Sequence, residues 1–104
     1  MKIEFNISET SGFEWDEANL DHIEKHDVHY LECEEIFANK PIRIREDKVH
    51  SHVEKRFQGL GLSNDGRQLF ISFTVRKSKI RIVTARDQSK KERKEFRELA
   101  DSRG

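Results

Sequence analysis

Leu69-Phe70-Ile71-Ser72-Phe73-Thr74-Val75-Arg76 and Lys79-Ile80-Arg81-Ile82-Val83-Thr84-Ala85-Arg86 are two β-branched and aromatic runs with only Lys77-Ser78 between them. Such a pair reads as a tight antiparallel hairpin. Upstream, Lys55 to Leu62 is a third strand-like run, set off by the turn residues Asn64-Asp65-Gly66, and Pro41 to Arg45 is a fourth, set off by His50-Ser51-His52. The last three runs should form an antiparallel meander. Downstream, Ser89 followed by Glu92 is a capping box that opens a C-terminal helix, whose apolar stripe is only Phe96, Leu99 and Ala100. So thin a stripe suits a partner protein as well as it suits the sheet.

The N-terminal half reads as helical. Asp16 stands where an N-cap belongs, and Leu20 and Ile23 continue an apolar line toward His26. The spacing predicts a second helix over about Tyr30 to Ala38, with Cys33, Ile36 and Phe37 inward and Glu32, Glu34 and Glu35 outward, stopped by Asn39-Lys40-Pro41. Before these, Ile3, Phe5 and Ile7 alternate with polar residues as a short strand would, and Ser8 to Gly12 reads as a turn. The expected class is α+β, with two N-terminal helices and a C-terminal helix against a small antiparallel sheet. One domain is expected over residues 1–104, without repeats or linkers.

With 34% hydrophobic and 38% charged residues, the core must be small, and seven Phe and one Trp have to supply much of it. The formal charge of zero conceals an asymmetry. Residues 1–52 carry six Lys and Arg against thirteen Asp and Glu, and residues 53–104 carry fourteen against seven, so the halves stand at −7 and +7. A basic half beside an acidic one can hold a polyanion on one side and repel it from the other, unless the halves neutralise each other on folding. No apolar run is long enough for a signal core or a membrane span, which predicts a soluble, cytoplasmic protein with no membrane partner. Cys33 is the one cysteine and sits at helical spacing from Tyr30, Ile36 and Phe37, so it reads as core.

Five arginines, Arg56, Arg67, Arg76, Arg81 and Arg86, stand along the strand-patterned half. A guanidinium fixed on a strand is a preorganised phosphate clamp. Arg81 and Arg86 are an odd number of residues apart, however, and point to opposite faces unless a bulge intervenes. One of them would then be structural, paired with an acid of the N-terminal helices.

Taken in order, Phe13-Glu14-Trp15-Asp16-Glu17-Ala18-Asn19-Leu20, Glu24-Lys25-His26-Asp27-Val28, His50-Ser51 with Glu54 and Arg56, Asp65-Gly66-Arg67, and Ile80 to Arg86 with Ser89-Lys90-Lys91-Glu92-Arg93 resemble the BrnT family of toxins from type II toxin-antitoxin systems. The resemblance runs from Phe13 to about Phe96 and leaves residues 1–12 outside it. Each piece is weak alone; their order and spacing carry the likeness. The family usually has Gly where this chain has Asp27, so an aspartate must bear the left-handed turn expected there. The segment from Trp15 to Lys25 is slightly shorter than in the commonest form. The resemblance implies a RelE-like fold and an endoribonuclease that arrests growth until a cognate antitoxin covers it. It also implies that operator DNA is met only through the antitoxin.

Metal-free RNA cleavage needs a base for the 2′-hydroxyl, fixed cations for the phosphorane and an acid for the leaving 5′-oxygen. Asn19, His22 and His26 fall on one helical stripe beside Lys25. The expected catalytic set is Lys25 or His26 for proton transfer, with Arg56, Arg81 and Arg86 gripping the phosphate. Arg67, Arg76, Lys90 and Lys91 are expected along the RNA, and Phe96 and Leu99 under an acidic or amphipathic segment of the antitoxin. No cofactor or metal is expected. One rival reading gathers His22, His26, His50 and His52 around a transition metal, although no His-Glu-x-x-His motif is present. Another is a non-catalytic nucleic-acid-binding module or an inactive toxin homologue, holding RNA by phosphate contacts alone.

Overall fold

In the computed structural model, which describes residues 6–103, the hairpin frames the rest of the chain. Strands β3 (Gln68–Arg76) and β4 (Lys79–Asp87) pair antiparallel through Lys77 and Ser78, both at positive φ (50° and 67°), the left-handed pair that matches strand twist in a two-residue turn. Strands β1 (Arg43–Glu46) and β2 (Phe57–Leu62) complete a meander of order β1-β2-β3-β4, antiparallel throughout. Phe13 forms a parallel bridge to Ile80 and so borders β4 at the far edge. The strand expected around Ile3 and Phe5 falls on residues outside the described ones. Ile7 begins a single 3-10 turn, Ile7–Glu9, because the Asn6 side chain accepts the Ser8 N–H and closes a local turn.

Helix α1 (Glu17–Glu24) starts at Asp16, whose carboxylate accepts the Asn19 N–H while the Asn19 side-chain oxygen accepts the Asp16 N–H. Asn19 is buried, and its amide donates to the Glu14 and Ile82 carbonyls, pinning α1 to β4. The expected stripe of Asn19, His22 and His26 therefore does not form one functional surface. Its first member is structural, and the helix ends before its last, at a turn where Asp27 takes φ 58°. Aspartate thus bears the left-handed turn.

Helix α2 (Tyr30–Ala38) occupies the predicted residues and buries Cys33 and Ile36. Its glutamates are not merely solvated. Glu32 pairs with Arg67, Glu34 accepts the Trp15 indole N–H, and Glu35 accepts the Asn64 N–H. Helix α3 (Lys90–Arg103) opens with the Ser89–Glu92 capping box.

The two faces of the sheet differ. One packs Leu69, Ile71, Phe73, Ile80, Ile82, Ala85 and Phe57 against Ile23, Val28, Cys33 and Ile36 of the α1–α2 side. The other holds the smaller cluster of Leu60, Phe70 and Phe96, with Leu62 beside it, under α3.

Candidate functional site

The second face is where the cations gather. Strand alternation puts Arg43, Leu60, Phe70 and Arg86 in one cross-strand row and Arg45, Gln58, Ser72 and Thr84 in the next. Arg56 shares this face by its spacing from Gln58, and Arg81 by its pairing with Thr74. Arg86 and Arg81 can share a side because Ser72 pairs with Thr84 while Phe73 pairs with Ile82, leaving Val83 as the extra residue of a β-bulge. Ile80, Ile82 and Ala85 consequently all point into the core. The bulge resolves the parity conflict between the two arginines in favour of a common face.

Each of the five arginines singled out in the sequence has a carboxylate partner. Arg81 holds Glu14 at 2.9 Å and Asp16 at 2.8 Å, so it does pair with acids at the start of the N-terminal helical region. Its side chain is only 13% exposed. Arg76 grips Glu54 through two hydrogen bonds of 3.0 Å. Arg86 makes a two-pronged pair with Glu92 at 2.8 and 3.0 Å and lies 4.0 Å over the Phe70 ring. Arg56 meets Glu54 at 3.4 Å, and its buried Nε has no hydrogen-bond partner. Arg67 is on the other side, bound to Asp87, Glu32 and the Asp27 carbonyl. These bonds depress the acids: hydrogen bonding from Arg81, Arg76 and Arg67 holds Asp16, Glu54 and Asp87, respectively, below the usual carboxylate range. Burial pushes Glu92 up, but Arg86 and the Ser89 N–H more than offset it.

Two further arginines of this face, outside the expected set, are lightly held. Arg43 has no ion pair among the described residues. Arg45 has a long contact of 3.9 Å to Glu95 and a hydrogen bond to Gln58. Both line a small hollow on the arginine face, together with Gln58, Leu60, Phe70 and Glu92. The signal was present in the alternation of Arg43 and Arg45 with Ile42 and Ile44 on the predicted strand.

Lys25 and His26 stand in the exposed turn after α1, at the opposite end of that helix from the Asp16 cap that Arg81 holds, and among the described residues no hydrogen bond or ion pair joins either of them to Arg56, Arg81 or Arg86. Lys90 and Lys91 are exposed at the start of α3. Phe96 is buried against Leu60 and Phe70, and Leu99 is half-buried, so a partner reaches Phe96 only if α3 lifts.

The histidine metal site does not assemble. Among the described residues no three His, Cys, Asp or Glu side chains are placed to share an ion. His22 and His26 stack with ring centroids 6.4 Å apart, and His50 turns instead to Asp47 at 2.8 Å. Cys33 is buried, and that burial, reinforced by Glu32 and Glu34, pushes its thiol up to about 12, which leaves no nucleophile there. Among the described residues no helix is long and apolar enough to cross a membrane.

Against this geometry, a family model described as the ribonuclease toxin BrnT of type II toxin-antitoxin systems matches residues 15–92. No curated protein matches the chain. The match spans both N-terminal helices, the whole sheet and the capping box of α3. The chain therefore belongs to the BrnT family of ribonuclease toxins of type II toxin-antitoxin systems.

Proposed function

We propose that this chain arrests growth in the cytoplasm as an endoribonuclease that cuts RNA without a metal ion, and that the arginine face of its sheet receives the scissile phosphodiester. The observation that carries this reading is the convergence of Arg43, Arg45, Arg81 and Arg86 on one face, the last two brought to the same side by the Val83 bulge, with Arg56 tied to Arg76 through Glu54. Their carboxylate partners do not forbid the role. An exposed ion pair is worth only about 0–1 kcal/mol, so a phosphate can displace a surface carboxylate at little cost. Arg56, whose contact to Glu54 is 3.4 Å long, is open to that exchange, whereas Arg86, 37% exposed, must first leave its two-pronged pair with Glu92. Arg81 is 13% exposed between two acids and acts as the anchor of the face. Arg76, Lys90 and Lys91 contact the RNA backbone beyond the cut, whereas Arg67, on the opposite side, keeps α2 against the sheet.

The cognate antitoxin neutralises the enzyme by laying an acidic segment over the same face. Its own DNA-binding part would carry any contact with operator DNA.

One observation favours a rival. Every arginine of the original five has an internal carboxylate, as a module that only holds RNA, or an inactive homologue, would tolerate. Incubating the pure chain with end-labelled RNA in EDTA separates the two. New 5′-hydroxyl ends, lost on the order of 10²-fold in Arg56→Ala and Arg86→Ala, support the nuclease. A mobility shift without cleavage supports the module.

A further inference from the structure

The β1–β2 connection carries a histidine held in an orientation suited to proton transfer. Asp47 caps the 3-10 turn Lys48–His50, accepting the His50 N–H at 3.3 Å through one oxygen and meeting His50 Nδ1 at 2.8 Å through the other. The second oxygen also accepts from Gln58 Nε2 at 3.2 Å, and Gln58 Oε1 accepts from Arg45 Nε at 3.1 Å. Three successive hydrogen bonds thus join His50 to Arg45, which shares its strand face with Arg43.

The turn itself is anchored. Asp47 N–H donates to the Arg56 carbonyl at 2.7 Å, while Ser51 Oγ donates to the Asp47 carbonyl at 2.6 Å and accepts the Arg56 N–H at 3.0 Å. An ionised carboxylate only accepts, so Nδ1 carries the ring proton in the neutral imidazole and Nε2 keeps its lone pair. The Asp47 side chain is 9% exposed and the His50 side chain 68%, so the orienting group is covered and the ring is open. Neither Lys25 nor His26 has an orienting partner of this kind among the described residues.

We propose that His50 is the proton-transferring catalytic residue of this ribonuclease, with Asp47 and Gln58 as positioning residues, and that Arg45, joined to it through Gln58, and Arg43 on the same strand face contact the scissile phosphate from the surface. This rests on the reading of the chain as a metal-independent ribonuclease. In the step, His50 Nε2 takes the proton of the ribose 2′-hydroxyl as that oxygen bonds to phosphorus. The bond from phosphorus to the 5′-oxygen breaks, the leaving oxygen takes a proton from solvent, and the imidazolium later returns its own to solvent. The products are a 2′,3′-cyclic phosphate and a 5′-hydroxyl, with no oxidant or co-reactant required.

The test uses the full chain and labelled RNA in EDTA, with binding read separately on an RNA lacking the 2′-hydroxyl. His50→Ala is expected to slow cleavage on the order of 10²- to 10⁴-fold without weakening binding, and added imidazole to restore part of the rate. His50→Gln, which can still donate to Asp47 but offers no base, should be as slow as the alanine variant. Arg43→Ala should lower the salt slope of binding by about one. Wild-type cleavage with His50→Ala or His50→Gln retaining its rate overturns the assignment and leaves the ribonuclease reading standing. So does a loss that imidazole does not repair. An unchanged salt slope in Arg43→Ala removes the phosphate contact. A wild-type chain that binds RNA and never cuts it overturns both readings together.

Discussion

Replacing Asn19 by alanine removes three side-chain hydrogen bonds at once: the one accepted from the Asp16 N–H at 2.8 Å and those donated to the Glu14 and Ile82 carbonyls at 3.0 Å each. At about 1 kcal/mol each they sum to about 3 kcal/mol, and the Ile82 carbonyl, left without this donor at a buried contact, adds roughly 1 kcal/mol or more. Folded domains are stable by about 5–15 kcal/mol, so Asn19→Ala should forfeit a large share of the total and lower the melting temperature by well over about 10 °C. Urea unfolding followed by circular dichroism reads the loss as a lower midpoint at unchanged slope. Asn19→Asp is the sharper variant. It keeps the acceptor for Asp16 but sets an oxygen against two carbonyl oxygens, so it should be at least as destabilised as the alanine form. Either variant unfolding within about 0.5 kcal/mol of the parent, the range of ordinary surface changes, would refute the placing of Asn19 as the peg between α1 and β4.

Gly61→Ala should destabilise by about 1–3 kcal/mol, because the added methyl would stand 2.9 Å from Ile36 Cβ and 3.4 Å from the Ile36 carbonyl oxygen, both on the rigid α2; an unshifted urea midpoint would contradict that contact. The Cys33 thiol should ignore a disulfide reagent in the folded protein and react at once in denaturant, since it is fully buried; fast reaction under native conditions would mean the core opens there. Acid should unfold the protein through its depressed carboxyls. Asp16, Asp87 and Glu54 have folded values below their ordinary 3.8, 3.8 and 4.5, so their stabilisation is complete above those values and disappears as pH falls through the folded ones. The melting temperature should hold from neutrality to about pH 5 and then drop; a flat profile down to about pH 3 would deny these pairs any role in stability.

The regular elements were legible because their periodicities are local. The limits of α2 coincide with the predicted Tyr30 to Ala38, the meander follows the turn residues, and the capping box at Ser89 forms as read. What local pattern does not encode is partnership across the chain. Nothing around Glu34 announces the Trp15 indole, and nothing around Arg81 announces which acid will meet it. The bulge at Val83 is equally silent, since an unpaired residue in an apolar run looks like any other valine. Asn19 misled for a related reason. Helical spacing aligned it with His22 and His26, while its burial depends on a carbonyl of Ile82 that sequence distance hides. The candidate site was read as arginines on strands. The lightly held Arg43 and Arg45 stood in the shortest of the described strands, where a run of four residues draws little notice.

The unpaired Val83 divides β4 into two frames, so that chain length at a single point, and no particular side chain, determines whether Arg86 lies on the same side as Arg81. Losing one residue there would keep every functional group and still send the groups beyond it to the wrong surface. Length variation in this strand should therefore be tolerated far less than substitution at Val83 itself, and aligned relatives could be sorted by whether they keep the extra residue before they are compared at any arginine.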